Sequence, residues 1–216
     1  MGIDLSRIDV HQALVYILVI VLSITVHEFG HAFVADRLGD DTPRRQGRVT
    51  LLPTEHLDPI GFLMIVFMAF GGIGLGWGKP VQINPAALRH PRRDDTLITL
   101  AGPFANLVLA CIAGLTIRFF QPTLSGLAEE LATTFLFVNL SLMFFNLIPI
   151  PPLDGSHVMV NVLPREPAMR YARVMGQYGF MILIALIFFG GPFLYQLIER
   201  PSLAVATLIT GVPFGG

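Results

Sequence analysis

Cysteine is nearly absent from this chain, and charged residues are scarce. One of the 216 residues is a cysteine, Cys111, which excludes an intramolecular disulfide and a zinc site built from cysteine thiolates. Charged residues make up 13% of the sequence, about half of the roughly 25% found in ordinary soluble domains. The formal net charge is −1, so the basic excess of a nucleic-acid-binding protein is missing and no nucleic-acid partner is expected.

Apolar residues, in contrast, make up 53% of the chain and recur in long segments. A helix that crosses a bilayer needs about 20 mostly apolar residues, and most of these segments approach or exceed that length. The sequence therefore predicts an all-α polytopic membrane protein, in contact with lipid, with about five transmembrane helices. The candidate segments are 11–35, 59–77, 96–118, 127–149, 172–190 and 193–213.

Segment 59–77 differs from the others because it is short and ends in closely spaced glycines. Each glycine weakens a helix by about 1 kcal/mol relative to alanine. The loops on both sides of it, 36–58 and 78–95, are rich in Arg and Lys, whereas the link 119–126 has neither. Since basic loops favour the cytoplasmic side, we expect segment 59–77 to enter and leave on that side as a re-entrant or interfacial element.

Two stretches in the polar loops are predicted to form short β segments. They are GRVTLLP, within the 43–58 loop, and KPVQINP, within the 78–85 loop. Both contain β-branched residues and are bounded by glycine or proline, which is typical of short paired strands.

The sequence HEFGH at the end of the first apolar segment has the pattern H-E-x-x-H. On a helix, His27 and His31 would lie one turn apart on the same face, with Cβ atoms about 5–6 Å apart, and could share one tetrahedral zinc ion. Glu28 could take a proton from water and later give it to a leaving amine. A surface helix with two histidines is the alternative, but ionisable groups in a membrane segment are costly and usually mark function.

A catalytic zinc site generally has three protein ligands, and the candidate for the third is Asp154. It follows PIPPL, whose prolines prevent a regular helix. Non-helical backbone at membrane depth is tolerated where it is buried in protein or lines a wet cavity. A turn or a helix N-cap is the alternative role for this aspartate.

The number of membrane crossings provides a separate argument for the third ligand. His31 lies near the end of the first apolar segment, and Asp154 lies just beyond the end of segment 127–149. The two can meet only after an even number of crossings, so segment 59–77 should not traverse the membrane.

These motifs together resemble the site-2 protease family of intramembrane zinc metalloproteases, peptidase family M50. The resemblance is to its short bacterial and archaeal branch, without PDZ or CBS domains, and it covers residues from about 20 to 165. The residues that carry it are HEFGH, HLDPIG at 56–61, GWGKPVQINP at 76–85, AGPFAN at 101–106 and NLIPIPPLDG at 146–155.

The resemblance implies a role for each matching residue. His27, His31 and Asp154 would ligate one zinc ion per chain, and Glu28 would be the general base. Asn146 would hold the substrate backbone or stabilise the oxyanion, as a fixed N–H donor can.

The resemblance also implies a function and an organisation for the whole chain. We expect one intramembrane metalloprotease domain over 1–216, with a catalytic core at about 11–165 and a C-terminal helical hairpin at about 168–213. It would hydrolyse a peptide bond in or near a transmembrane segment of a membrane protein, in regulated intramembrane proteolysis. The expected location is the cytoplasmic membrane of a prokaryote, with the active site nearer the cytoplasmic face.

Four further polar residues are candidates for supporting the metal ligands through hydrogen bonds. His56 and Asp58 could orient ligands, although a hydrogen-bonded loop is the favoured role for both. Asn106 could hydrogen-bond between helices, and His157 could be an alternative ligand, a partner of a ligand or a cap.

The alternative function is that of a non-proteolytic membrane protein that binds or transports metal, because intramembrane His and Asp residues also line ion paths. Glu28, between the two histidines, has a ready use in hydrolysis and no obvious use in transport. The sequence identifies neither the substrate nor the oligomeric state.

Overall fold

Helices account for nearly all the regular structure in residues 9–214, the part of the chain that the computed structural model describes. A 3₁₀ turn at Pro85–Ala87 and a π-helical turn at Tyr195–Glu199 complete it. The α-helices are α1 Val10–Arg37, α2 Thr42–Arg45, α3 Pro53–His56, α4 Pro59–Ala69, α5 Pro91–Phe120, α6 Leu127–Asn146, α7 Asp154–Val162, α8 Arg165–Phe189, α9 Gly191–Leu194 and α10 Arg200–Thr210.

Four of the helices in the described residues, namely α1, α5, α6 and α8, are long and apolar enough to cross a membrane. The predicted all-α polytopic membrane fold is therefore confirmed. The fifth predicted helix, at 193–213, is present as α9, the π-helical turn and α10, which follow one another without a break. Pro201, in the first turn of α10, has no N–H to donate to the preceding turn.

Helices α1, α5 and α6 pack against one another and form the centre of the molecule. The largest buried apolar cluster joins α5 and α6 through residues such as Ala110, Leu136 and Leu140. Helix α10 packs onto α5 and α6, whereas α8 contacts α7 and α9. Asp9 immediately precedes helix α1, and its carboxylate accepts hydrogen bonds from the N–H groups of His11 and Gln12, as an N-cap residue does.

The segment predicted to be re-entrant contains α4, which has 11 residues and is therefore about 16 Å long, well short of the roughly 30 Å hydrocarbon core. The residues that flank this segment contact each other: Leu57 and Gly78 form an antiparallel bridge, and Lys79 N donates to His56 O at 2.7 Å. The chain thus enters and exits loop 57–78 at neighbouring positions, as expected for a segment that enters and leaves the membrane on one side.

The predicted β segments in the 43–58 and 78–85 loops do not form. In residues 9–214 the Leu57–Gly78 bridge is the single element of β structure. The backbone groups of these loops are bonded elsewhere, since Arg48 N donates to Pro43 O at 2.8 Å and Asn84 N donates to Asp40 Oδ2 at 2.6 Å.

Candidate metal centre

The two histidines of the H-E-x-x-H motif lie on successive turns of α1 and are buried. His27 Nδ1 lies 2.6 Å from Asn106 Oδ1, and His31 Nδ1 lies 2.7 Å from the carbonyl oxygen of Ile98. Both partners are acceptors, so each ring donates its Nδ1–H, and the neutral ring then has a free electron pair on Nε2. This is the protonation state that a metal-binding imidazole needs.

The free Nε2 atoms converge with one carboxylate oxygen. They lie 3.1 Å apart, and Asp154 Oδ2 lies 3.2 Å from His27 Nε2 and 3.4 Å from His31 Nε2. Ligand atoms around a tetrahedral zinc with bonds of about 2.0–2.1 Å are about 3.3 Å apart. The three side chains thus form a group that could hold a metal ion.

The chemistry of these donors also fits a cation. Asp154 Oδ2 is buried and lacks a hydrogen-bond partner, and in neutral rings that donate from Nδ1 the two imidazole nitrogens facing it have free electron pairs. Three converging electron pairs repel one another unless a cation lies among them, and leaving such groups uncompensated in a buried site is costly. Two imidazoles and a carboxylate are ligands that zinc accepts.

Asp154 is brought to the histidines by the start of α7. Residues 149–152 contain three prolines, and the first regular helical residue after them is Asp154 itself. Gly155 allows this turn to pack tightly, because a Cβ atom there would lie 2.6 Å from Ile148 O and 2.5 Å from Leu147 C.

Helix α5 forms the wall of the site opposite α1. Gly102 faces both imidazoles, and a Cβ atom there would lie 2.6 Å from His31 Cε1 and 2.7 Å from His27 Cε1. The next residue is Pro103, which has no N–H to donate to the carbonyl of Thr99. Next to the histidines, α5 therefore has no side chain at Gly102 and no backbone N–H at Pro103.

A buried hydrogen-bond network holds Asn106, the hydrogen-bond partner of His27, in place. Asn106 Nδ2 donates to Asn139 Oδ1 at 2.8 Å and to Ser23 O at 3.3 Å, and Asn139 Nδ2 donates to Ser23 Oγ at 2.9 Å. The network links α1, α5 and α6 and fixes the Asn106 carbonyl toward His27. Sequence reasoning found Asn106 but missed Asn139 and Ser23; the one signal available was the presence of an asparagine within an apolar segment.

Glu28 lines the same cavity as the candidate ligands, a space of about 620 Å³. Its side chain is 13% exposed, and Glu28 Oε2 lies 3.9 Å from Arg48 Nη2. Arg48 was not a candidate in the sequence. The cavity wall is mostly apolar and includes Leu75, Trp77, Val81, Leu142 and Phe145.

Two of the remaining candidates also line the cavity. Asn146, at the end of α6, donates from Nδ2 to Leu142 O of its own helix at 2.9 Å. His157 is 64% exposed, and its Nδ1 lies 4.0 Å from Asp95 Oδ2. It is outside the group that could hold a metal.

The other two candidates lie in the base of loop 57–78. His56 is buried and donates from Nε2 to Thr50 O at 2.7 Å. Burial lowers the pKa of this imidazole below its usual range, which favours the uncharged ring. Asp58 caps α4 by accepting from Ile60 N and Gly61 N at 3.0 and 2.9 Å. Neither residue bonds to a candidate metal ligand.

Known proteins match most of the length of this chain. The model of Peptidase family M50 matches residues 15–136 and 121–187. "Putative zinc metalloprotease YwhC" of Bacillus subtilis (strain 168) is 34% identical over 79% of this chain and 78% of its own length. "Putative zinc metalloprotease Rip2" of Mycolicibacterium smegmatis is 37% identical over 80% and 67%.

A third relative, stage IV sporulation protein FB of Bacillus subtilis (strain 168), is 30% identical over 72% of this chain and 41% of its own length. No solved structure matches the chain significantly. The family model and the first two relatives each extend over the greater part of the chain, and the match of the family model includes the H-E-x-x-H segment. The chain therefore belongs to peptidase family M50 and is a zinc metalloprotease of the site-2 protease type.

Proposed function

We propose that this chain is an intramembrane endopeptidase that hydrolyses a peptide bond in or near a transmembrane segment of another membrane protein, as a step of regulated intramembrane proteolysis. The observation that carries the proposal is that Glu28 and three converging ligand atoms face one cavity between helices apolar enough to lie in a bilayer. A transmembrane segment of a substrate in the same bilayer would lie at the same depth as this cavity.

His27, His31 and Asp154 would hold one zinc ion per chain. When bound, zinc supplies a Lewis acid that polarises the scissile carbonyl and makes water more acidic. Glu28 would take the proton of the attacking water and pass it to the leaving amine, which is general base and then general acid catalysis. Asn106 would keep the His27 ring in the required tautomer and orientation.

Asn146 is proposed to act on the substrate rather than on the ligands. Its carboxamide lines the cavity and uses one N–H for the Leu142 carbonyl, and a primary amide has a second N–H. That second donor could stabilise the negative charge that develops on the carbonyl oxygen, or hold the substrate backbone.

The substrate must be locally extended to be cut, because a helical backbone engages its carbonyls in internal hydrogen bonds. Residues 79–84 follow loop 57–78 without regular structure until the 3₁₀ turn, and Val81 and Ile83 line the cavity. An extended substrate could add to this stretch as a strand would.

The proposed location is the cytoplasmic membrane of a prokaryote, with the active site nearer the cytoplasm. Arg and Lys are frequent in residues 36–58 and 78–95 and absent from 119–126, a distribution that favours the cytoplasmic side for the two basic ranges. The proposed partners are lipid and a substrate with a transmembrane segment.

The test is cleavage of a transmembrane peptide in liposomes by purified wild-type protein and by Glu28→Gln. We expect the variant to lose at least about 100-fold in kcat, since a general base contributes about 10²- to 10⁴-fold, while its zinc content stays that of wild type. Full cleavage by Glu28→Gln would refute the mechanism. Zinc flux into the same liposomes without any proteolysis would favour the alternative, a metal transporter.

A further inference from the structure

Arg48 is a buried cation next to the candidate general base. It lies in the loop between α2 and α3, and its side chain is only 3% exposed. Arginine stays protonated in proteins, and a buried charge is costly unless polar partners compensate it. The contacts of this guanidinium should therefore indicate what its charge is used for.

Two of these contacts fix the base of loop 57–78. Arg48 Nη1 donates to the carbonyl oxygen of Glu55 at 2.6 Å, and Nη2 donates to the carbonyl oxygen of Lys79. These acceptors lie just before and just after the loop, so one guanidinium spans both of its ends. The loop contributes Leu75, Gly76, Trp77 and Gly78 to the cavity wall.

The third contact is with Glu28. In the described part of the chain, this is the one carboxylate within 4.0 Å of the Arg48 guanidinium, at 3.9 Å between Oε2 and Nη2. That distance is too long for a hydrogen bond but short enough for a strong attraction in a poorly solvated site. The carboxylate is thus held by charge while its electron pairs stay available to accept a proton.

We infer that Arg48 is a positioning residue for Glu28: its charge holds the Glu28 carboxylate at the cavity, and its two hydrogen bonds tie that position to loop 57–78. The inference rests on the proposed function, because it assigns Arg48 to the base of that reaction. Arg48 itself does not line the cavity and would not contact the substrate.

A purely structural role would give different kinetics. If Arg48 only closed the loop, its loss would disturb the cavity wall and raise KM. If it positions the base, its loss removes an interaction that matters in the transition state, which lowers kcat while KM changes little.

The experiment compares two substitutions that separate charge from hydrogen bonding. Arg48→Lys keeps the positive charge but lacks the planar fork, whereas Arg48→Gln keeps N–H donors for the carbonyls and loses the charge. Arg45→Gln is the matched control, because Arg45 is exposed and pairs with Asp41 on the surface. Each full-length protein is assayed in liposomes for kcat, KM, zinc content and Tm.

We expect Arg48→Gln to lower kcat about 10- to 100-fold, the range in which a misplaced catalytic group costs activity, with KM within about twofold and zinc content unchanged. Arg48→Lys should keep a clearly higher kcat than Arg48→Gln, and Arg45→Gln should match wild type. If Arg48→Gln does not fold, a lower kcat for Arg48→Lys at unchanged KM and zinc content supports the inference.

Wild-type kcat in Arg48→Gln, or a raised KM at unchanged kcat in either variant, would overturn the inference. Its failure can be told apart from failure of the proposed function. A fully active Glu28→Gln refutes the function itself, whereas an inactive Glu28→Gln beside a fully active Arg48→Gln refutes only the role of Arg48.

Discussion

Gly102 faces the two histidines from α5 without a side chain of its own. Because an added Cβ atom would lie 2.6–2.7 Å from the imidazole carbons of His27 and His31, Gly102→Ala should push the rings apart. We expect zinc affinity to fall about 10- to 100-fold, the cost of disturbing the support of a metal ligand. Competition with a zinc chelator measures this change.

Gly176→Ala is the matched control, since Gly176 lies in α8 and a Cβ atom there would meet nothing within 4 Å. Its zinc affinity should equal that of wild type. Wild-type affinity in Gly102→Ala would show that the close packing of α5 against the histidines is not needed for the site.

The residues that the sequence predicted best are those whose relation is local. The spacing of His27 and His31 on one helix is enough to bring their rings together, and the prolines before Asp154 marked that aspartate as unusual. Asn139 and Arg48 were missed because their partners lie far away in sequence. Asn139 bonds to Ser23 across 116 positions, and no local spacing shows that pairing.

At the scale of elements, the path of loop 57–78 bears on which side of the membrane its flanking segments face. Its ends are joined by the Leu57–Gly78 bridge, so the segments on either side should face the same compartment. Single cysteines at Glu55 and Arg89, in a Cys111→Ala background, should react with a membrane-impermeant reagent from the cytoplasmic side. Glu55 and Arg89 lie outside the candidate spans, and Cys111 lies in α5 but outside the group that could hold a metal.

Thr123→Cys, in the exposed link between α5 and α6, is the control that should react from the opposite side, since α5 separates it from Arg89. Labelling of Glu55→Cys and Arg89→Cys from opposite sides would mean that loop 57–78 traverses the membrane. It would also conflict with the meeting of Asp154 and the histidines.

Long apolar helices were predicted correctly because length and hydrophobicity alone determine them. The β segments were wrong because local composition does not reveal competing partners: Arg48 takes the carbonyls of Glu55 and Lys79, and Asp40 takes the N–H of Asn84. The last predicted helix is continuous but contains a π-helical turn before Pro201, a local irregularity that hydrophobicity does not reveal.

At the scale of the whole molecule, apolar helices enclose a small polar centre. Buried polar groups are costly, and here they are compensated in two ways. The groups around Asn106 hydrogen-bond to one another, and the candidate ligand atoms lie close enough together to hold a metal ion. Crossings by α5 and α6, both long and apolar enough to span a bilayer, would return the chain to the side on which α1 ends, in agreement with the meeting of Asp154 and the histidines. The predicted membership of the site-2 protease family is confirmed by the family model and the relatives.

The central claim is that His27, His31 and Asp154 together hold zinc, and metal content tests it most directly. Purified wild-type protein should contain about one zinc per chain, the occupancy expected of a three-ligand catalytic site. Asp154→Ala should lose it, whereas Asp41→Ala, which removes an exposed carboxylate, should keep it. Zinc in Asp154→Ala equal to that of wild type would contradict the account.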